Sequence, residues 1–189
     1  MKEKERLDDL SIYQIMDSIA EKQFDDLVKL VAEIYRVPIA YIAFMDAHKQ
    51  FFKAKIGISI NDMPKDMTLC KYLIDSEQDS LTVNDTMSDQ EFSLHPLVNG
   101  TTKIRFYAGI ALTGKNGFKI GSLCIQDYEA KNFSDHDLET LKAMGRHVVK
   151  LLDERLETIS NDIAILQNDK FIEKISDYSP GALFKFQIT

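Results

Sequence analysis

The chain has 189 residues, 44% hydrophobic and 28% charged, enough for one well-packed domain with length left over. A formal net charge of -7 argues against a nucleic-acid surface, which needs clustered Lys and Arg, so no nucleic-acid partner is expected. The opening MKEKERLDDL is charged throughout and lacks the apolar core of a secretion signal, and the run from Pro38 to Met45 is too short to span a bilayer.

These features predict a soluble, cytoplasmic segment that makes no membrane contact. Cys70 and Cys124 form neither a disulfide framework nor a C-x-x-C pair, which fits a reducing compartment.

In chain order, residues 3–16 read as a first helix with Leu7, Leu10 and Tyr13 on one face. Ser18, with Glu21 three residues on, has the form of a capping box opening a second helix. That helix carries Phe24, Leu27, Val28, Val31, Ile34 and Tyr35 at the spacing of a single buried face, and Pro38 ends it. The apolar run at 39–46 predicts a strand covered on both sides, with a second strand at 50–56 turning back along it. Between 57 and 103 the pattern weakens to a short helix over 69–74, a strand over 80–83 and a loop holding Phe92 and Pro96.

The stretch from Ile104 to Asp127 is the strongest β signal. Two apolar runs flank Gly114-Lys115-Asn116-Gly117, a corner suited to a tight hairpin, and place that hairpin at the heart of an antiparallel sheet. Gly109 and Gly121 inside the runs point to bulges or to close approach of another group. Ser134 and Asp137 then form a capping box, and the helix they open meets no proline until at least Asn168, a rod of roughly 50 Å. Its second half spaces Val149, Leu152, Leu156, Ile159, Ile163 and Leu166 alternately three and four apart, the seam of a two-stranded coiled coil.

Several of these residues resemble motifs of the GAF sensory domains that precede bacterial histidine kinases and diguanylate cyclases. They are Phe51-Phe52-Lys53-Ala54, Pro64-Lys65-Asp66 leading to Leu69-Cys70, Val83-Asn84-Asp85-Thr86, Phe92, Pro96-Leu97-Val98, Arg105 to Gly109, and Gly121-Ser122-Leu123-Cys124. The resemblance implies an α+β fold: a central antiparallel sheet flanked by helices, one face roofing a small-molecule pocket, with a long C-terminal helix. It divides the chain into a sensory domain over 1–156, a coiled-coil linker helix over 157–175 and the truncated start of a PAS-like domain over 176–189. Ser179-Pro180-Gly181 before Leu183 to Phe186 carries that last resemblance and implies that the chain is a piece of a longer signalling protein.

No catalytic constellation stands out. Gly114 to Gly117 lacks the ending of a phosphate loop, and the four histidines are scattered without metal-ligand spacing. The expected pocket has walls from Phe52, Leu69, Phe92 and Phe106, a thiol from Cys70, and polar groups from Tyr72, Asp85, Arg105 and Tyr107. Arg105 is the informative one: it either points into the cleft and calls for an anionic ligand, or pairs with a neighbour such as Asp85.

The expected function is a non-enzymatic sensory module that binds an unidentified small molecule and relays its state through a homodimer of terminal helices. The partners implied are a second copy, a downstream PAS domain and an output domain. No metal or catalytic residue is called, and the cofactor is left unknown. The alternatives are a spacer without ligand, and a thiol-based reductase of the free-methionine sulfoxide kind using Cys70 and Cys124.

Overall fold

A computed structural model describes the backbone of residues 2–178 and the side chains of residues 2–168 and Lys170. The expected PAS-like strand around Leu183 lies outside the described residues.

The centre is a six-stranded antiparallel sheet ordered β3-β2-β1-β6-β5-β4. Its strands are β1 (Ile39–Met45), β2 (Lys49–Ile56), β3 (Asp62–Pro64), β4 (Ser80–Val83), β5 (Phe106–Thr113) and β6 (Lys119–Asp127). All seven residues of β1 are buried, so the unbroken apolar run does mark a strand with no solvent face. Helices α1 (Lys2–Ile12), α2 (Lys22–Tyr35), α3 (Cys70–Ile74), α4 (Pro96–Asn99) and α5 (Asp135–Tyr178) complete the chain. α2 packs on β1 and β2, and α3 packs against β5 and β6. The first half of α5 crosses β5 so closely that a Cβ on Gly145 would fall 2.9 Å from Ile110. A compact first unit of the chain ends at Leu151.

Several sequence expectations change. The first helix stops at Ile12 because Gln14 and Asp17 take positive φ, and the chain folds Tyr13 and Ile15 into the core. The capping box at Ser18 does not form. Buried Lys53 takes both of its members, donating to Ser18 Oγ at 2.9 Å and pairing with Glu21 Oε1 at 2.6 Å, so α2 starts at Lys22 without a side-chain cap. A buried ammonium needs those acceptors more than a helix end needs its cap. Ile34, expected on the buried face, is exposed. The short edge strand β3 was not legible, since its three residues carry no alternation.

The second capping box does form. Asp137 N–H donates to Ser134 Oγ at 3.2 Å, and Asp137 Oδ2 accepts from the Ser134 hydroxyl at 2.6 Å and from Ser134 N–H at 3.0 Å, which hold the Asp137 carboxyl below its ordinary pKa. Along the expected seam Leu152 is buried, Val149, Leu156 and Ile159 are half-buried, and Ile163 and Leu166 are exposed.

α1 ties the ends of two hairpins together. Arg6 donates to Met45 O at 2.6 Å at the β1–β2 turn, while fully buried Asp9 accepts from the N–H groups of Asn116 and Phe118 at the β5–β6 turn. Gly114 gives Asp9 its place, because a Cβ there would lie 2.5 Å from the carboxylate. Asp9→Ala leaves those turn N–H groups without their acceptor and should destabilise the fold by about 2–3 kcal/mol, read from urea unfolding monitored by circular dichroism. A change within about 0.5 kcal/mol would show that the turn holds without it.

Candidate functional site

Alternation along a strand sends neighbouring side chains to opposite faces of the sheet, and this sorts the candidates. Tyr41 on β1, Tyr107 on β5, and Cys124 and Gln126 on β6 share the face covered by α3, α4 and the irregular segments between 57 and 104. Phe106 projects the other way, and its ring packs 5.4 Å from Phe133. Phe106 and Tyr107 therefore cannot both line one pocket.

On the irregularly covered face lies a cavity of about 260 Å³. Ile39, Phe52, Ile58, Met63, Leu69 and Ile104 give it apolar walls, and Tyr41, Gln50, Thr68, Thr102 and Gln126 bring polar groups to it. No lining residue is charged. Gln50 is 1% exposed, and its Oε1 has no hydrogen-bond partner among the described residues. A buried acceptor without a donor costs roughly 1–3 kcal/mol, so this amide is a place where an incoming N–H or O–H gains most.

Beside the cavity a buried polar chain runs through the core. Gln126 Nε2 donates to Tyr41 Oη at 2.8 Å, and Tyr41 Oη lies 3.2 Å from Cys70 Sγ. Cys70 Sγ lies 3.2 Å from Cys124 Sγ, and Tyr107 Oη lies 3.4 Å from Cys124 Sγ. Burial pushes Tyr41, Tyr107 and Cys124 above their ordinary pKa values. Burial acts the same way on Cys70, but hydrogen bonds from Cys124, Ser122, Tyr41 and Tyr107 outweigh it and bring that thiol down to about 7.

Of the residues expected at the pocket, Phe52 and Leu69 line the cavity. Cys70 and Tyr107 belong to the polar chain behind it. Tyr72 and Phe92 stack on each other, centroids 4.8 Å apart, away from the lining. Arg105 lies outside the cavity and makes a two-pronged bond to Asp85, with both contacts at 2.9 Å. Sequence reasoning passed over Tyr41, Gln50 and Gln126. The signal was present: a phenol and two amides inside runs otherwise built for burial must find partners there. His95 caps α4 by accepting from Leu97 N–H at 3.2 Å, and burial lowers its pKa.

A sheet with helices packed on one face and an irregular roof over a cavity on the other defines a class of α+β regulatory domains. The chain belongs to the GAF domain family, whose pattern it matches over residues 20–152. It is 31% identical over 146 residues to a cyclic di-GMP phosphodiesterase of Pseudomonas aeruginosa, a match covering 77% of this chain but only 24% of that protein. Among solved structures it is similar to the GAF domain of an Acinetobacter phosphoenolpyruvate-protein phosphotransferase. That likeness has a TM-score of 0.59 at 16% identity, covering 83% of this chain and 98% of the other. A domain of a putative two-component sensor histidine kinase from Sinorhizobium meliloti 1021 gives a TM-score of 0.58 at 14% identity, covering 77% and 99%. At such identities the likeness is one of fold. Among the described residues no helix is long and apolar enough to cross a membrane.

The Asp85–Arg105 pair should show itself in acid. The guanidinium, with Ser88 and the Met87 N–H, holds the Asp85 carboxyl down at about 2, below the 3.8 of a free aspartate. A depressed folded-state pKa adds stability that is full above about pH 4 and is lost as pH falls toward 2. Asp85→Asn should thus lower the melting temperature at neutral pH, with the difference from wild type closing between pH 4 and 2. A gap that stays constant across that range would remove the pair from the acid response.

Proposed function

We propose that the chain is the sensory module of a longer signalling protein, binding a compact, uncharged molecule in the cavity beneath β1, β2 and β6. The observation that carries this reading is the buried Gln50 side-chain oxygen, without a hydrogen-bond partner among the described residues, in an uncharged cavity. An anionic ligand, which Arg105 in the cleft would have required, has no counter-charge there. A neutral molecule offering one or two hydrogen-bond donors suits the walls.

The signal leaves through α5. Ile163, 45% exposed, and Leu166, 61% exposed, present an apolar edge to water, and a second copy of the same helix in parallel would cover it. Ligand binding can shift the output only by its difference in affinity for two arrangements of that helix pair. The output we infer is a histidine kinase or diguanylate cyclase, reached through a PAS domain. Similarity to the Pseudomonas protein adds a cyclic di-GMP phosphodiesterase as a further candidate. Divisions near residues 156 and 175 belong to the same proposal, as does a cytoplasmic location.

The reading of a bare spacer gains no support from a cavity holding an unsatisfied amide. The reductase reading needs a substrate as large as methionine sulfoxide held against a thiol, and the cavity is walled off from both cysteines by Tyr41 and its neighbours.

Native mass spectrometry of the purified chain, repeated under denaturing conditions, tests the proposal. The expected result is a dimer carrying an extra small mass that denaturation releases. Ile58→Trp, which fills the cavity from its half-buried rim, should abolish that mass and leave the dimer. A dimer that stays empty after exposure to cell extract would favour the spacer. Ile163→Glu with Leu166→Glu should give a monomer by analytical ultracentrifugation with the circular dichroism of the sheet intact, and a persisting dimer would remove the seam.

A further inference from the structure

Cys70 opens α3 and Cys124 sits mid-strand in β6, 54 residues away, yet their sulfurs are 3.2 Å apart in a fully buried site. They are the only cysteines of the chain. A disulfide has a sulfur separation of about 2.05 Å, so closure needs an approach of about 1 Å, within reach of side-chain rotation and a small shift of a one-turn helix.

Space-filling does not account for the surroundings. A cysteine serving as a small apolar residue needs no polar company, whereas two phenol hydroxyls lie against this pair. Gly109, directly across the ladder from Cys124, keeps one of them in place. A Cβ there would fall 2.5 Å from Tyr107 Oη and 3.1 Å from Cys124 Sγ. The other hydroxyl is aimed by Gln126, whose donated hydrogen bond occupies an acceptor site on Tyr41 Oη and leaves the phenol proton for Cys70. Each sulfur has one phenol beside it, Tyr41 at Cys70 and Tyr107 at Cys124; the Cys124 thiol is the further donor that stabilises a Cys70 thiolate, while burial keeps the proton on Cys124. The pair is thus divided into a nucleophile, Cys70, and a resolving thiol, Cys124.

Tyr41 gives the route in. It lines the cavity together with Leu69 and Gln126, and it touches Cys70 on its other side. α3 spans five residues, its first turn closed by Thr68 Oγ1 accepting from Lys71 N–H at 3.3 Å, so a small oxidant reaches buried Cys70 when that single turn opens locally.

We propose that Cys70 and Cys124 form a reversible dithiol–disulfide modification site, oxidised by a small neutral hydroperoxide that enters through the cavity. The Cys70 thiolate attacks the terminal peroxide oxygen. The O–O bond breaks, an S–O bond forms, and the departing alkoxide or hydroxide takes up a proton. Cys124 sulfur then attacks Cys70 sulfur, forming the S–S bond and expelling the sulfenic oxygen, which leaves as water with the Cys124 proton. Two thiols lose two electrons, and the hydroperoxide becomes an alcohol (or water) plus water. A small dithiol restores the pair by exchange. The bond would tie α3 to β6 and take from Tyr41 its sulfur partner, so oxidation and cavity occupancy act on the same side chain.

The experiment treats the purified 189-residue chain with hydrogen peroxide at neutral pH, blocks residual thiols under denaturing conditions, and reads the intact mass and peptide map. The expected product is an intramolecular Cys70–Cys124 linkage, about two mass units lighter than the dithiol and reversed by dithiothreitol. Its rate should rise with pH around 7. Cys124→Ser should stop at a sulfenic acid on Cys70 that dimedone traps, and Cys70→Ser should leave Cys124 unreacted. Ile58→Trp should slow oxidation several-fold. Both thiols remaining free in the folded chain, at peroxide levels that oxidise glutathione, would overturn the site. An unchanged rate in Ile58→Trp would overturn the route. Intact mass on the wild-type chain decides the first point without any variant, and independently of whether a ligand is ever found.

Discussion

The pairing of β1 with β6 is the constraint on which the rest depends. These strands are separated by most of the domain in sequence, yet they lie side by side with Tyr41 opposite Cys124 and Ala43 opposite Ser122. Each brings its own hairpin partner, β2 on one side and β5 on the other, so one long-range ladder joins two local ones into a sheet. Both central strands are buried on both faces, and every polar side chain they carry must be satisfied inside the protein. The Gln126–Tyr41–Cys70 chain and the Tyr107–Cys124 contact are how that demand is met.

The two faces of the sheet are covered in different ways, and the difference makes a cavity possible. Helices α2 and α5 meet one face with apolar residues, Phe24, Leu27, Val28, Val31, Leu141 and Val148 among them buried against it. The other face is roofed by short helices and turns, which cannot interdigitate so completely. The space left over Phe52, Leu69 and Ile104 is lined by whatever those turns present. Charge is kept away from it. Lys53 points to the opposite side and is consumed by Ser18 and Glu21, and Arg105 is held outside by Asp85. An uncharged cavity is therefore a consequence of where the ion pairs fall, and it sets the polarity of anything that enters.

Charged groups serve a second purpose at the sheet ends. Arg6 and Asp9 stand three residues apart on one face of α1 and reach different hairpin turns, clamping them with hydrogen bonds to backbone groups. Without side chains of that kind, buried turn N–H groups would be orphaned. This also explains why the N-terminal helix, with its weak apolar face, is anchored through polar atoms.

Much of the architecture was legible in the sequence because local patterns carried it. The unbroken apolar run of β1, the Gly-rich corner of the central hairpin and the Ser134–Asp137 cap each specify an element from neighbours within a few residues. The motif residues likewise pointed to the GAF family. The site was less legible, since strand alternation fixes that Phe106 and Tyr107 face opposite ways but not which face holds the cavity. Ser18 and Glu21 looked like a helix cap until Lys53, more than thirty residues on, competed for both. The approach of Cys70 to Cys124 and the stranding of Gln50 without a donor likewise arise only when distant segments are folded together. Sequence determined the elements through local hydrogen bonding and periodic burial. Tertiary structure decided the chemistry, because a buried polar group is defined by neighbours that the chain brings from far away.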